Sequence, residues 1–181
     1  MKKALVPLAD GFEDIEAVSI IDVLRRGGVN VVTASLSDGT AVRSAHGIRM
    51  EADARLPDVL EGEYDAIILP GGGEGTQNLS ECEPLLERLR RQKEEGGFVC
   101  AICAAPTVLE KAEVIEDESV TCYPSCTPQM GRHVESVPVI ADGQLITGRG
   151  PGAAADFAFE LLKALGMADA AKQLRAGMLF C

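Results

Sequence analysis

The stretch Phe98-Val99-Cys100-Ala101-Ile102-Cys103-Ala104-Ala105-Pro106-Thr107-Val108-Leu109 holds the residue best suited to covalent chemistry in this chain. An apolar run of strand length ends at Cys103, and a helical pattern begins at Pro106, whose missing N–H is harmless in a first helical turn. Cys103 is therefore expected at a strand-to-helix turn, flanked by the small residues Ala101 and Ala105. This is the layout of the nucleophile elbow G-x-S-x-G, with Cys for Ser and Ala for both glycines. Such a turn lifts the side chain out of the sheet and aims a helix N-terminus at it, which favours a thiolate. Cys100, inside the strand, reads instead as a buried structural thiol.

Two other segments offer partners for that sulfur. Pro70-Gly71-Gly72-Gly73-Glu74-Gly75 is a glycine-rich loop without the Lys-Ser/Thr ending of a phosphate loop. Beside a reactive cysteine, the N–H groups of Gly72 and Ala104 would serve as oxyanion donors. Glu16 follows Glu13 and Asp14, which suit the positive end of a helix dipole. It also heads an apolar stripe continued by Ile20 and Val23, so burial with a raised pKa is expected. A protonated Glu16 can hydrogen-bond a thiolate and act as general acid or base.

The elements that must position these groups alternate along the chain. Lys3 to Leu8 reads as a strand with Pro7 near its C-terminal end, Glu13 to Arg26 as a helix closed by Gly27-Gly28, and Asn30 to Ser35 as a second strand. A hairpin is expected from Thr40–Arg43 and Ile48–Glu51, and a short helix from Pro57 to Leu60. A third parallel strand, Asp65 to Leu69, leads into the glycine loop, and a charged helix, Glu83 to Glu95, precedes the elbow strand. Ser119–Cys122, Ser136–Ile140 and Leu145–Thr147 read as extended, with Asp142-Gly143 turning the last two into a hairpin. Helices from Ala153 to Leu165 and from Ala168 to Ala176 close the pattern. One α/β domain over residues 1–181 is expected: a doubly wound, mostly parallel sheet with helices on both faces and its site at the carboxyl ends of the strands.

Composition narrows the function classes. With 181 residues, 46% of them hydrophobic, the chain can bury a substantial core. A formal net charge of -11 argues against nucleic acid and anionic membrane surfaces as partners. No segment has membrane-spanning length, and Met1-Lys2-Lys3 is not followed by a signal-peptide core, so a soluble, cytoplasmic protein is expected. Cysteines at 82, 100, 103, 122, 126 and 181 are expected to be reduced there. Cys100-x-x-Cys103 differs from a redox C-x-x-C because Cys100 lies back in the strand, and neither His46 nor His133 has zinc-ligand spacing to a cysteine pair. No metal site is expected.

Ala4-Leu5-Val6, Gly11-Phe12-Glu13-Asp14-Ile15-Glu16-Ala17-Val18, Leu69-Pro70-Gly71-Gly72, Ala101-Ile102-Cys103-Ala104-Ala105-Pro106 and Gly150-Pro151-Gly152, in this order, resemble the ThiJ/PfpI superfamily. Within it the resemblance is to the branch of the Parkinsonism-associated protein. It implies a flavodoxin-like sandwich that forms homodimers, with Cys103 the oxidation-prone nucleophile, Glu16 its protonated partner, and Gly72 and Ala104 the backbone donors. It also implies that Arg26 lies near the dimer interface and the site. Two departures stand out: Tyr123-Pro124 occupies the place of a family His-Pro, and Ala104 replaces the histidine that follows the nucleophile in the peptidase-like branch. Peptidase activity is not expected. His46 falls where the branch often has an arginine directed at a neighbouring subunit, and a surface histidine is the simpler reading.

The implied activity is cofactor-free detoxification of small reactive carbonyls, of glutathione-independent glyoxalase or protein deglycase type. The alternative is an oxidative-stress sensor or redox-regulated chaperone that works through oxidation of Cys103. Cys126, in the loop after Tyr123-Pro124, is a candidate resolving thiol for oxidised Cys103, with an unpaired loop cysteine as the plainer option. Cys181 has no assigned role.

Overall fold

The alternation of apolar strands and amphipathic helices becomes a seven-stranded sheet in the computed structural model, which describes residues 1–180. The strands are β1 (Lys3–Leu8), β2 (Asn30–Ser35), β3 (Ala41–Arg43), β4 (Arg49–Glu51), β5 (Ala54–Arg55), β6 (Ala66–Leu69), β7 (Phe98–Ile102), β8 (Val139–Asp142) and β9 (Leu145–Gly148). The helices are α1 (Asp14–Arg26), α2 (Leu56–Val59), α3 (Gly73–Glu81), α4 (Glu83–Glu94), α5 (Pro106–Lys111), α6 (Ala154–Ala164) and α7 (Ala168–Gly177). The main sheet runs β5-β2-β1-β6-β7-β9-β8, parallel except for the β8–β9 hairpin, while β3 and β4 form a separate ribbon. Its order reverses between β1 and β6, where a doubly wound sheet opens a crevice at its carboxyl edge.

Strand periodicity sorts the core into two layers. Ala4, Val6, Ile68, Cys100 and Ile102 face α1 and α6, whereas Leu5, Ile67, Leu69, Val99 and Ala101 face α4 and α5. Cys100 is fully buried, as a structural thiol should be. Pro7 falls beyond Leu5, where the β1–β6 pairing ends, so its missing donor interrupts no ladder on that side.

Three expectations need correction. Residues 73–81 are not part of a loop but the helix α3, which Gly72 opens with a φ of 97°. Ser119–Cys122 adds no strand, because β9 already has β7 and β8 on its two edges. Instead Thr121 donates its backbone N–H to Thr147 Oγ1 and its hydroxyl to the Val137 carbonyl. The strand expected from Ser136 begins only at Val139, after Pro138, which has no N–H to give a ladder. Two elements carried no sequence signal, the two-residue edge strand β5 and a 3-10 turn over Pro124–Gln129. Cys181 lies outside the described residues.

Candidate active site

The carboxyl ends of β1, β6 and β7 meet at one point, and each delivers one part of the site. At the end of β7 the chain turns so sharply that Cys103 takes a left-handed φ of 66°. For a residue with a Cβ this conformation costs about 1–3 kcal/mol, so the surroundings must hold it. The Cys103 N–H donates to the Gly148 carbonyl at 2.9 Å, its own carbonyl accepts from Tyr123 N–H at 2.7 Å, and Ala105 N–H closes the turn onto Ile102 at 3.0 Å. Ala101 and Ala105 are both fully buried, consistent with the small residues expected around the elbow. Cys103 itself is 8% exposed.

Glu16 reaches the thiol from α1. The Glu13 side chain caps that helix by accepting the Glu16 N–H at 2.7 Å, and Glu13 N–H in turn donates to the Gly71 carbonyl at 2.9 Å. The Glu16 side chain is thereby directed inward, 0% exposed. Its Oε2 accepts the Gly71 N–H at 2.8 Å, Oε1 is buried without a conventional partner, and the thiol of Cys103 also interacts with the carboxyl.

The close packing explains the glycines. A Cβ on Gly71 would lie 2.7 Å from both Cys103 Cβ and Glu16 Oε2. One on Gly72 would lie 2.2 Å from the Gly11 carbonyl oxygen. Gly71, part of the Leu69-Pro70-Gly71-Gly72 stretch but given no role there, leaves room for the carboxyl beside Cys103 and holds it through its N–H.

Electrostatics couple the two acids. Burial raises the Glu16 carboxyl from its ordinary 4.5 to about 7, against the opposing hydrogen bonds from Cys103 and Gly71. Burial also pushes the Cys103 thiol up, helped by the charge and hydrogen bond of Glu16. The backbone N–H groups of Ala104 and Gly72 pull it down. Burial and Glu16 thus oppose the thiolate that the turn and helix end were expected to favour. α5 is only six residues long and starts three positions later, so its dipole adds little. The pair resists a double negative charge, and above about pH 7 it carries one charge and one shared proton.

The remaining candidates fall at different distances from the sulfur. Tyr123 is joined to Cys103 through its backbone, with its ring 45% exposed. Arg26 sits at the opposite end of α1, about 15 Å along the helix from Glu16, and pairs with Asp22 at 2.7 Å. Within one chain it is not a site neighbour. Cys126 packs against the core layer opposite to that of Cys103. Its backbone N–H donates to the carbonyl of Tyr123 at 2.9 Å, the residue whose own N–H bonds Cys103.

His46 is a surface histidine, as expected, with Nδ1 2.7 Å from Asp14 Oδ2. Asp14 is lowered overall: burial acts to raise it, but the hydrogen bonds of Ser44 and His46 prevail. Donor atoms of Glu13, Asp14 and His46 lie within 4.8 Å of one another, the one such metal-compatible group among the described residues. Glu13 is committed to capping α1, and Asp14 and His46 to each other.

Sequence and structure comparisons converge on one assignment. Residues 2–164 match the model of the DJ-1/PfpI family. The chain belongs to that family. It is 39% identical over 181 residues to protein dj-1beta of Drosophila melanogaster, covering 98% of this chain and 97% of that one. It is also 39% identical over 169 residues to the glutathione-independent glyoxalase DJR-1.2 of Caenorhabditis elegans, covering 91% and 89%. The solved structure of oxidized Toxoplasma gondii DJ-1 superposes with a TM-score of 0.96 at 35% identity, covering 100% of both chains. Membership in the DJ-1/PfpI family agrees with the mostly parallel sandwich, and no described helix is long and apolar enough to cross a membrane.

Proposed function

We propose that this DJ-1/PfpI protein converts 2-oxoaldehydes such as methylglyoxal into 2-hydroxy acids by a glutathione-independent glyoxalase reaction. The observation that supports this reading best is the buried Glu16 carboxyl, fixed by Gly71 N–H and coupled to the thiol of the strained elbow at Cys103. The relative in Caenorhabditis elegans carries that activity in its name.

In this mechanism the Cys103 sulfur adds to the aldehyde carbon, forming a C–S bond while the thiol proton passes to the Glu16 carboxylate. Oε1, the oxygen without a conventional partner, is the natural place for that proton. The N–H groups of Gly72 and Ala104, which already face the sulfur, stabilise the hemithioacetal oxygen. Glu16 returns the thiol proton to the hemithioacetal oxygen and, again a carboxylate, moves a proton from the former aldehyde carbon to the neighbouring one, while the hemithioacetal hydroxyl proton passes to the ketone oxygen. The first carbon is oxidised to a thioester and the ketone is reduced to an alcohol, so the electron pair stays within the substrate. Water cleaves the thioester and restores the thiol. The net reaction is RCOCHO + H2O → RCH(OH)COO− + H+. Tyr123 supplies no imidazole, so proton transfer rests on Glu16 and water.

The test is D- or L-lactate formation from methylglyoxal by wild type, Cys103→Ser and Glu16→Gln. Turnover by the wild type, abolished in the serine variant and reduced at least about a hundredfold in the glutamine variant, is expected. Absence of turnover together with peroxide-dependent oxidation of Cys103 would replace the enzyme by a redox sensor. We also propose a homodimer through the outer face of α1, where Ile15 and Val18 are 57% and 49% exposed. Light scattering that gives the monomer mass would refute it.

A further inference from the structure

Methylglyoxal has three carbons, yet a groove of about 550 Å3 adjoins the elbow, within the size range of small-molecule sites. Its walls include Tyr123, Pro124, Pro138, Arg149, Gly150 and Pro151. Two of those walls are tied to Cys103 through backbone hydrogen bonds. Tyr123 N–H bonds the Cys103 carbonyl, and Arg149 directly follows Gly148, whose carbonyl accepts the Cys103 N–H. Ile102 and Gly148 are register partners on adjacent strands, so the Arg149 backbone lies roughly one strand spacing, about 5 Å, from that of Cys103. The Gly150 backbone lies close to the Tyr123 ring: a Cβ there would sit 3.3 Å from it.

The charges in this groove are unbalanced. Asp156, at its edge, is paired with Arg175 at 2.5 Å. Arg149 pairs with no carboxylate among the described residues; its Nη1 donates to the Ser136 hydroxyl. A half-buried guanidinium with donors to spare, beside an apolar wall, suits a planar carboxylate.

We propose that this groove is a substrate subsite and that Arg149 selects 2-oxoaldehydes whose aliphatic chain ends in a carboxylate. The proposal rests on the glyoxalase reading for its kinetic arm only. With Cys103 on the aldehyde carbon, the chain lies along Tyr123 and the prolines and its carboxylate meets Arg149. The chemistry is unchanged: 4,5-dioxopentanoate and water give 2-hydroxyglutarate and a proton.

Two measurements test this. In the first, kcat/KM for 4,5-dioxopentanoate is compared with that for 2-oxopentanal, its uncharged counterpart of equal chain length. The wild type should prefer the acid about tenfold, mostly through KM; Arg149→Gln should erase that ratio and Arg149→Lys should keep part of it. Equal values in the wild type, or a preference that survives Arg149→Gln, would overturn the subsite and leave the glyoxalase reading intact. The second measurement needs no turnover. Unreactive 4-oxopentanoate is titrated into the wild type and followed by amide NMR shifts. Saturable shifts at Tyr123, Arg149 and Gly150, absent with 2-pentanone and lost in Arg149→Gln, are expected. Shifts elsewhere, or none, would refute the subsite even in a protein that turns over no carbonyl.

Discussion

Replacing Glu16 by Gln should change how the stability of this protein depends on pH. The wild-type carboxyl is fully buried, and desolvation lifts it from 4.5 to about 7. Between those values the folded chain holds a proton that the unfolded chain has released. Stability therefore falls as pH rises through this window. Relative to a group of unchanged pKa, Glu16 costs nothing well below about pH 4.5 and its full penalty well above pH 7. Each unit corresponds to about 1.4 kcal/mol, so between about pH 5 and pH 8 the wild type should lose about 2–3 kcal/mol from this residue alone. Gln is close in shape and cannot ionise, so Glu16→Gln should lack that loss. The assay is urea denaturation of both proteins at the two pH values, with the difference of differences as readout. Equal pH slopes in the two proteins would refute the claim that Glu16 is a buried acid near pKa 7, and with it the proton economy proposed for the site.

Other outcomes follow from the same geometry. The kcat/KM for methylglyoxal should rise through about pH 7 as the Glu16–Cys103 pair loses its first proton, and a stopped pH series on the wild type checks it. Gly72→Ala should cost about 3 kcal/mol or more, because its Cβ would press on the Gly11 carbonyl at 2.2 Å and its φ is 97°; urea melts measure this. Arg88→Met should destabilise by about 2–4 kcal/mol in the same assay, since this buried guanidinium donates to the Leu60 and Gly62 carbonyls at 3.1 and 3.2 Å.

Much of this molecule is legible in local patterns. Strands such as Asn30–Ser35 and Phe98–Ile102 stand out as short apolar runs, and α1 as a stripe ended by glycine, because periodicity and turn chemistry are properties of neighbours in sequence. The elbow could be placed for the same reason: Cys103 lies between a strand signal and Pro106, with alanines at the tight positions. Where local signals compete with packing, sequence reading fails. The glycines at 71–75 suggest a loop, yet α3 starts at Gly73; Gly71, Gly72 and Gly75 are there to let backbone pass close to Gly11 and Cys103. Ser119–Cys122 has strand composition, but β9, whose Thr147 it bonds, already has a strand on each side.

The sequence by itself determined the main strands and helices, the doubly wound class and the chemical types at the site: a thiol, an acid and flexible backbone. Only the tertiary structure decided which atoms meet. It sets Gly71 against both Glu16 and Cys103, packs Cys126 with the other core layer, and leaves Arg149 with no carboxylate partner among the described residues. These are relations between residues far apart in the chain. The raised proton affinity of the site arises from the burial they create together, which no single segment encodes.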